Sequence, residues 1–346
     1  MAARKKYKMH FTKLENAEKI CYNNGRNSKE GRFGYNQMKC IFIYNPVSGN
    51  GKMAKKLDVI VKGLKEKYDV VDTYATKCAG DMTVKAREAA AEYDAIVFSG
   101  GDGSFNEVLQ GVGALENPPE LGYIPSGTVN DIAHTLRIPK NIKKALKIIT
   151  TGRMEALDCM KVNEDRYVMY VVAAGAFTSA TYTTPQASKN HIGKIAYWFE
   201  GAKRNLKFQV FDVCCECASA EVCNHTHSVL ISFMNSRFVA GFGLNKRASL
   251  QDGKIEVAIV PQKENPKFFS KVGALLSVAK LFLFGYKRKK RPTKSLISAE
   301  GDRFEVEVGD DVVWNFDGEK GISGKIHIEV VPKKVRMIVP KRLKRV

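Results

Sequence analysis

The chain has 346 residues, 44% of them hydrophobic and 27% charged, which is the composition of a globular protein. Its 56 Lys and Arg residues outnumber the 36 Asp and Glu residues and give a formal net charge of +20. Such a surface attracts polyanions: nucleic acid, an anionic membrane or a phosphorylated substrate. The most apolar helical stretch, residues 272–284, includes Lys280 and is shorter than the ~18 residues of a membrane span. We therefore expect a soluble or peripheral protein.

The beginning of the chain predicts a cytoplasmic location. Its first ten residues, MAARKKYKMH, have no apolar core behind their charges and do not resemble a signal peptide. The eight Cys residues are irregularly spaced, so we expect free thiols in a reducing compartment. Residues 1–37 are polar, basic and without clear periodicity, and we predict a disordered extension there.

From residue 38 the pattern alternates between strand and helix. Apolar runs predict strands at 41–44, 70–75, 95–98 and 122–124. Helical spacing of apolar residues predicts helices at 53–68, 81–93, 104–115, 130–136 and 141–149. Residues 95–98 are fully apolar, as in a parallel strand that is buried on both faces. We predict an α/β domain over residues 38–158, with an open, mostly parallel sheet that binds ligands at the carboxyl ends of its strands.

After Leu157 the apolar period changes to two. This pattern predicts strands at 167–173, 207–216, 228–234, 254–260, 295–299, 304–308, 312–316 and 325–330. Helical segments are predicted only at 192–204 and 266–284. We therefore expect a second, mainly antiparallel β-sandwich domain over residues 159–334, and we leave open whether residues 335–346 return to the first domain.

Three glycine-rich loops follow strands of the first domain. They are NPVSGNG at 45–51, SGGDGSFNE at 99–107 and IPSGTVND at 124–131. Small residues between a strand and a helix let backbone N–H groups approach an anion. The first loop is not a Walker A loop, because its glycines are two apart and Met53 follows Lys52. Since the three loops share one sheet edge, they predict a phosphate-binding site.

These motifs resemble the catalytic domain of soluble bacterial diacylglycerol kinases and related lipid kinases. The resemblance rests on NPVSG, GGDGSFNEV and GYIPSGTVNDIA, and continues through GKIAYWFEGAK, residues 234–257 and FDGEKG. It implies a diacylglycerol kinase-like fold with a ligand cleft between an α/β domain and a β-rich lipid-binding domain. It also implies transfer of the γ-phosphate of ATP, with Mg²⁺, to a lipid hydroxyl, that of diacylglycerol first. A sphingoid base, a polyprenol or NAD as acceptor, or a non-catalytic nucleotide-binding protein, remain alternatives.

The resemblance also assigns residues to the ATP site and to the metal. The ATP loops would contain Asn45, Pro46, Val47, Ser48, Gly49, Gly100, Gly101, Asp102, Gly103, Ser104, Phe105 and Asn106, with Thr76 and Thr128 beside them. Ser104 stands where the family usually has threonine. Mg²⁺ would be held by the Asp252 carboxylate and by backbone carbonyls of Ser249 and Lys254.

The base that accepts the proton of the lipid hydroxyl would be Glu319, in the sequence Asp317-Gly318-Glu319. A carboxylate within hydrogen-bond reach of an alcohol can accept its proton during attack on the phosphate. Asp-Gly is also a common hairpin turn, so the motif alone does not decide between the two interpretations. Asp102 is the rival base, and it could instead hold Mg²⁺, form a turn or cap the helix that follows.

The remaining clusters of charged and metal-binding residues indicate which partners the protein could bind. The run KRKKR at 287–291 follows the apolar stretch 272–284, a combination that suits an anionic bilayer. We expect peripheral association with the inner face of the membrane and, since no nucleic-acid-reading motif occurs, no nucleic acid partner. A homodimer is left open. Zinc is the less favoured interpretation of a cluster without a C-x-x-C pair, made of Cys214, Cys215, Cys217, Cys223, His225 and His227.

Overall fold

The computed structural model of the chain describes residues 37–47, 53–176, 209–217, 225–286 and 293–343. The predicted extension up to residue 36, the helix predicted at 192–204 and the basic run 287–291 lie outside the described residues.

The first half of the fold is a parallel sheet with helices between its strands. Its strands are β1 (Lys39–Tyr44), β2 (Val70–Ala75), β3 (Ala95–Gly100) and β4 (Glu120–Pro125). They pair in parallel in the order β4-β3-β1-β2. The helices are α1 (Leu57–Leu64), preceded by a 3-10 turn at Ala54–Lys56, then α2 (Asp81–Ala89), α3 (Asp102–Val112), α4 (Asp131–Thr135) and α5 (Ile142–Thr151).

Burial explains why these residues form a sandwich of helices around a sheet. Every residue of β3 is buried. The helix α2 packs against α3, and α1 packs against α5, so both sheet faces are covered. In α5 the buried residues recur at helical spacing, at Ile142, Ala145, Leu146 and Ile149. The predicted parallel sheet of the first half is confirmed.

The second half consists mainly of antiparallel strands. These are β5 (Arg153–Val162), β6 (Arg166–Val168), β7 (Val171–Gly175), β8 (Phe211–Cys217), β9 (Thr226–Met234), β10 (Ile255–Pro261), β11 (Ile297–Gly301), β12 (Arg303–Val308), β13 (Val313–Phe316), β14 (Glu319–Ser323) and β15 (Ile326–Val339). A helix, α6 (Phe268–Phe284), follows β10. An apolar core around Trp314, Phe233 and Phe304 fills the space between the strands. The predicted fold class, an open parallel sheet followed by antiparallel strands, is confirmed.

The long strand β15 connects the two halves. Within the described residues one path of strands runs β14-β13-β7-β9-β8-β12-β15-β4-β3-β1-β2. The first part of β15 pairs with β12, and Met337 near its end lies beside Leu121 of β4 in parallel. All of these strands therefore belong to one hydrogen-bonded sheet, which fixes the position of the antiparallel half against the parallel half.

Three strand predictions were wrong in detail. The sequence did not predict β5, where four successive residues from Leu157 to Met160 are buried, so the period of two is lost. The segment predicted as one strand at 167–173 is two strands, because the backbone N–H groups of Met169 and Tyr170 donate to a side chain instead of a neighbouring strand. The strand predicted to end at residue 330 continues to Val339 past a register shift after Val331.

The cysteine-rich segment contains part of an antiparallel strand pair. Cys214, Cys215 and Cys217 lie on β8, whose first residues pair with the beginning of β9. Cys215 is buried in the core and Cys217, on the same face of the strand, is partly buried against it, whereas Cys214 lies on the other face because side chains alternate along the strand. Cys223 lies outside the described residues.

Candidate active site

The predicted ATP-binding residues lie at the carboxyl ends of the four parallel strands. Residues 45–47 follow β1, Thr76 follows β2, residues 100–106 lie at the end of β3, and Thr128 follows β4. The Thr76 N–H donates to the Tyr44 carbonyl (2.9 Å), so the ends of β1 and β2 are joined. The side chain of Asn45 accepts from the Val47 N–H (3.0 Å) and begins a tight turn. Ser48 and Gly49 lie outside the described residues.

The second and third glycine-rich loops are in direct backbone contact. A Cβ atom on Gly127 would lie 2.4 Å from the Cα atom of Gly101, and one on Gly100 would lie 2.0 Å from the Ser104 hydroxyl. The N–H groups of Ser126 and Gly127 donate to the Gly100 carbonyl (2.8 and 3.2 Å). Glycine is required here because no side chain fits between the two loops. Backbone N–H groups in glycine-rich turns of this kind can approach an anion.

The Asp102 carboxylate holds these two loops together. One oxygen accepts from the Asn130 N–H (2.8 Å) and the other from the Asp131 N–H (2.7 Å). Asp102 is the first residue of α3 and follows the N-cap residue Gly101, so its carboxylate is not at the N-cap position of that helix. Burial raises the pKa of Asp102, and backbone N–H groups, those of Asn130 and Asp131 first, oppose this shift.

Asn130 and Asp131 extend this network, and the sequence analysis gave neither of them a role. Asn130 has a φ of 60°, and its side-chain oxygen accepts from the Gly127 N–H (3.0 Å) and the Tyr123 hydroxyl (3.2 Å). The buried Asp131 carboxylate accepts from the Gly241 N–H (2.7 Å) of the second half. The sequence feature that could have identified Asn130 and Asp131 is their position: two polar residues that follow the Gly127 turn where the next helix begins.

The predicted Asp-Gly turn joins β13 to β14. Asp317 and Gly318 have φ values of 53° and 90°, which is the backbone of a two-residue hairpin with both central residues at positive φ. The Asn315 side chain accepts from the Gly318 N–H (2.9 Å). The turn places Glu319 as the first residue of β14, where its side chain is exposed.

Asp317 has a second role that the sequence analysis missed. Its carboxylate accepts from the N–H groups of Met169 (2.6 Å), Tyr170 (2.9 Å) and Val171 (3.0 Å). The Tyr170 hydroxyl donates back to the Asp317 carbonyl (2.8 Å). Complete burial raises the pKa of Asp317 to about 6, although the N–H groups lower it. The turn that carries Glu319 is thereby fixed to the chain between β6 and β7.

The helix α3 contacts this turn and so connects the two halves. Asn106 donates to the Asp317 carboxylate (3.4 Å), and Arg166 donates to the Asn106 side-chain oxygen (3.1 Å). A Cβ atom added to Gly103 would lie 3.3 Å from Oε1 of Glu319. The Glu319 carboxylate therefore lies beside the first turn of α3, where the second glycine-rich loop ends. Among the described residues it makes no hydrogen bond or ion pair, in contrast to Asp102.

The residues predicted to hold Mg²⁺ form a separate turn before β10. The Asp252 side chain accepts from the Lys254 N–H (3.2 Å), and the Ser249 hydroxyl accepts from the Gln251 N–H (3.2 Å). The buried Asp158 carboxylate, which the sequence analysis missed, accepts from the N–H groups of Gly253 (2.8 Å) and Lys333 (2.8 Å). In the part of the chain that the structure describes, no group of three or more His, Cys, Asp or Glu side chains forms a metal cluster.

Comparison with known proteins shows the family. Residues 39–162 match the diacylglycerol kinase catalytic domain. The diacylglycerol kinase of Bacillus subtilis strain 168 is 32% identical over 302 residues, which covers 84% of this chain and 95% of the relative. That of Staphylococcus epidermidis strain RP62A is 33% identical over 306 residues, with coverage of 85% and 92%. The chain therefore belongs to the diacylglycerol kinase family, a family of lipid kinases, and the resemblance seen in the sequence is confirmed.

Solved structures show the same fold. A crystal structure of a protein from Bacillus anthracis strain Sterne superposes with a TM-score of 0.75 at 23% identity and covers 90% of this chain and 99% of its own. A diacylglycerol kinase from the same strain superposes with a TM-score of 0.67 at 21% identity, with coverage of 88% and 97%. Among the described residues no helix has the length and hydropathy needed to cross a membrane.

Proposed function

We propose that this kinase transfers the γ-phosphate of ATP, with Mg²⁺, to the hydroxyl of diacylglycerol and forms phosphatidic acid. The observation that carries the proposal is the position of Glu319, whose Oε1 would be 3.3 Å from a Cβ atom on Gly103. A carboxylate without a hydrogen-bond partner in the described part of the chain thus faces the second glycine-rich loop from the opposite half of the fold. A lipid hydroxyl that enters between them would meet both a proton acceptor and the predicted phosphate site.

The described residues fit a nucleotide. Gly100, Gly101 and Gly127 leave backbone atoms uncovered, and the amino end of α3 contributes partial positive charge. Lys140 donates to the carbonyls of Gly127 (2.9 Å) and Thr128 (2.7 Å) and so brings a cation to the third loop. Bound ATP with its metal would supply the phosphoryl group and neutralise its charge, while the protein positions the reactants.

The two candidate bases have different environments. Both oxygens of Asp102 accept backbone N–H groups, so its carboxylate is engaged in fixing the two loops. Glu319 is exposed and has room to accept the proton of the acceptor hydroxyl. We therefore assign the base to Glu319 and a positioning role to Asp102.

Mg²⁺ would also fit the turn over residues 249–254. Carboxylate and backbone carbonyl oxygens are the ligands that Mg²⁺ prefers, and the Asp252 side chain is exposed for this role. The turn is connected through Asp158 to Lys333 of β15, so an ion there would support the fold. The proposal keeps Asp252 as the side-chain ligand, with backbone oxygens of Ser249 and Lys254.

The test is phosphorylation of a panel of acceptors. The full chain is incubated with γ-labelled ATP and, separately, with diacylglycerol, sphingosine, a polyprenol or NAD, the lipids being dispersed in neutral detergent micelles. We expect label in phosphatidic acid, dependent on Mg²⁺, and its loss in Glu319→Gln. Label in another acceptor would change the assigned substrate, and absence of label from all acceptors would contradict the proposal.

A further inference from the structure

The helix α6 has an apolar side that faces solvent. The residues Phe269, Val272, Leu276, Leu283 and Phe284 are 86%, 38%, 53%, 62% and 66% exposed. Their spacing places them on one side of the helix, and we call them the α6 stripe. The opposite side packs on the protein through Ala274, Val278 and Leu281, which are buried. The helix is therefore fixed to the fold by one face and presents a second apolar face to solvent.

The concentration of exposed apolar side chains on α6 is unusual for the molecule. Eleven large hydrophobic side chains are exposed in the part of the chain that the structure describes, and five of them belong to the α6 stripe. The others, such as Val59 on α1 and Val84 on α2, come from separate elements. Scattered exposed apolar residues are normal, whereas a contiguous patch marks an interaction surface.

The charge around the stripe indicates what covers it. Residues 263–294 contain ten Lys or Arg residues, five of them in the run KRKKR at 287–291, and a single acidic residue, Glu264. Lys271 and Lys280 are exposed on α6 itself. An apolar stripe with exposed lysines on the same helix, in a strongly basic stretch of sequence, matches the boundary between anionic lipid headgroups and their acyl chains. A nucleic acid would satisfy the cations but would leave the apolar side chains in water.

The buried face of α6 contacts a segment that reaches the candidate active site. The Phe282 ring packs edge-on against Phe242, with ring centroids 5.7 Å apart. Phe242 and Val239 exchange backbone hydrogen bonds around Ala240 and Gly241, whose φ values are 53° and 79°. The Gly241 N–H at the tip of this turn donates to Asp131 (2.7 Å). The buried side of α6 is therefore connected through this turn to Asp131, which lies beside the glycine-rich loops.

We propose that the α6 stripe inserts into an anionic lipid leaflet, with the 239–242 turn on the opposite, protein-facing side of the helix. The apolar side chains enter the region below the headgroups, and the neighbouring cations contact the headgroup phosphates. The biological reason for this docking rests on the proposed function, since a kinase of diacylglycerol must reach an acceptor embedded in a bilayer. The docking itself is a separate physical claim with its own measurement.

The test uses vesicle binding by the full chain. The variant Leu276→Ser/Leu283→Ser/Phe284→Ser is compared with the parent and with Val59→Ser/Val84→Ser, which removes exposed apolar groups elsewhere. In cosedimentation with phosphatidylcholine vesicles containing phosphatidylglycerol, we expect at least ~100-fold weaker binding of the first variant and parental binding of the second. Lys271→Gln/Lys280→Gln should lose about fivefold per cation and only on the anionic vesicles.

Further measurements separate the possible results. All variants should keep the parental melting temperature, because the exchanged side chains are exposed. Equal vesicle binding of the stripe variant and the parent, or no vesicle binding by the parent, overturns the docking proposal. Turnover of a short-chain, water-soluble diacylglycerol should be the same in the stripe variant and the parent. If neither the parent nor the stripe variant phosphorylates this soluble diacylglycerol, and vesicle binding still depends on the stripe, the proposed function fails and the docking proposal stands.

Discussion

At the scale of single residues, three buried or half-buried carboxylates use backbone N–H groups as partners. Asp102 joins the two glycine-rich loops, Asp317 fixes the turn of the predicted base, and Asp158 holds the turn before β10. A carboxylate with several N–H donors is a rigid connection, because breaking it leaves donors unsatisfied in a region with little water. Glu319 differs from them because no hydrogen bond within the described residues restrains it.

The first prediction separates the two candidate bases. Glu319→Gln should lower kcat by at least ~100-fold, the usual effect of removing a positioned base, without changing the melting temperature or ATP binding. Asp102→Asn should lower activity as well as stability, by about 1–3 kcal/mol, since an amide leaves one N–H donor without an acceptor. Steady-state kinetics and thermal unfolding of the two variants check this. Near-normal turnover of Glu319→Gln would move the base to Asp102.

The second prediction concerns pH and Asp317. Burial raises its pKa to about 6, above the value of an unfolded chain, so the folded state binds the proton more tightly. Its contribution to the free energy of unfolding is then greatest at low pH and falls as pH rises through 6, by about 1 kcal/mol between pH 5 and pH 7.

Urea unfolding of the parent and Asp317→Asn at several pH values measures this contribution as a difference. The stability of the parent should fall relative to the variant over that pH range. A difference that does not depend on pH would mean that Asp317 titrates near its ordinary pKa in the folded protein.

At the scale of secondary-structure elements, the glycine-rich loops depend on backbone contact between β3–α3 and β4–α4. The strands bring the loops to one sheet edge, and Gly101 and Gly127 allow them to touch. The sequence of each loop alone allows many conformations, but the contact excludes most of them. For the proposed phosphate site, this restriction lowers the entropic cost of ordering the loops on binding.

The third prediction tests this contact with a single methyl group. Gly127→Ala places a Cβ atom 2.4 Å from the Gly101 backbone, so one loop must move. ATP binding, measured by titration calorimetry, should weaken at least ~10-fold, and the melting temperature should fall. Gly273→Ala on α6 is the matched control, because nothing lies within 4 Å of its Cβ position, and it should raise stability by ~0.5–1 kcal/mol. Parental ATP affinity in Gly127→Ala would contradict the proposed phosphate site.

At the scale of the whole molecule, β15 holds the parallel and antiparallel halves in one sheet. Where β15 bulges, Lys333 has a φ of 54° and donates its N–H to Asp158, which also holds the Asp252 turn. The predicted metal turn is thus fixed to the strand that both halves share. An ion bound there would stabilise the fold as a unit.

The fourth prediction follows from this position. Mg²⁺ should raise the melting temperature of the parent, because a ligand that binds only the folded state adds about 2.7 kcal/mol at a hundredfold excess over its Kd. Asp252→Ala should lose this response, whereas Asp302→Ala, which changes another exposed carboxylate, should keep it. Calorimetric scans without nucleotide check the effect in isolation. The same response in both variants would exclude Asp252 as a ligand.

Some elements followed from sequence and some did not, for identifiable reasons. The strand β3 was predicted because a fully apolar run between helices is enough to specify a buried parallel strand. The strand β5 was missed because the successive residues Leu157 to Met160 are all buried and the period of two is lost. Asp158 is buried among them because its carboxylate accepts two backbone N–H groups. The break between β6 and β7 was missed because its cause, the carboxylate of Asp317, comes from 147 residues further along the chain.

The sequence by itself determined the fold class, the family and the three glycine-rich loops, because these depend on local patterns of apolar residues and glycines. Only the tertiary structure decided that Glu319 faces Gly103, that Asp102 is engaged by Asn130 and Asp131, and that α6 keeps an apolar face in solvent. These features depend on contacts between segments that are distant in the chain. A local pattern specifies which residues prefer burial or a turn, but the partner of each carboxylate is chosen by how the whole sheet is assembled.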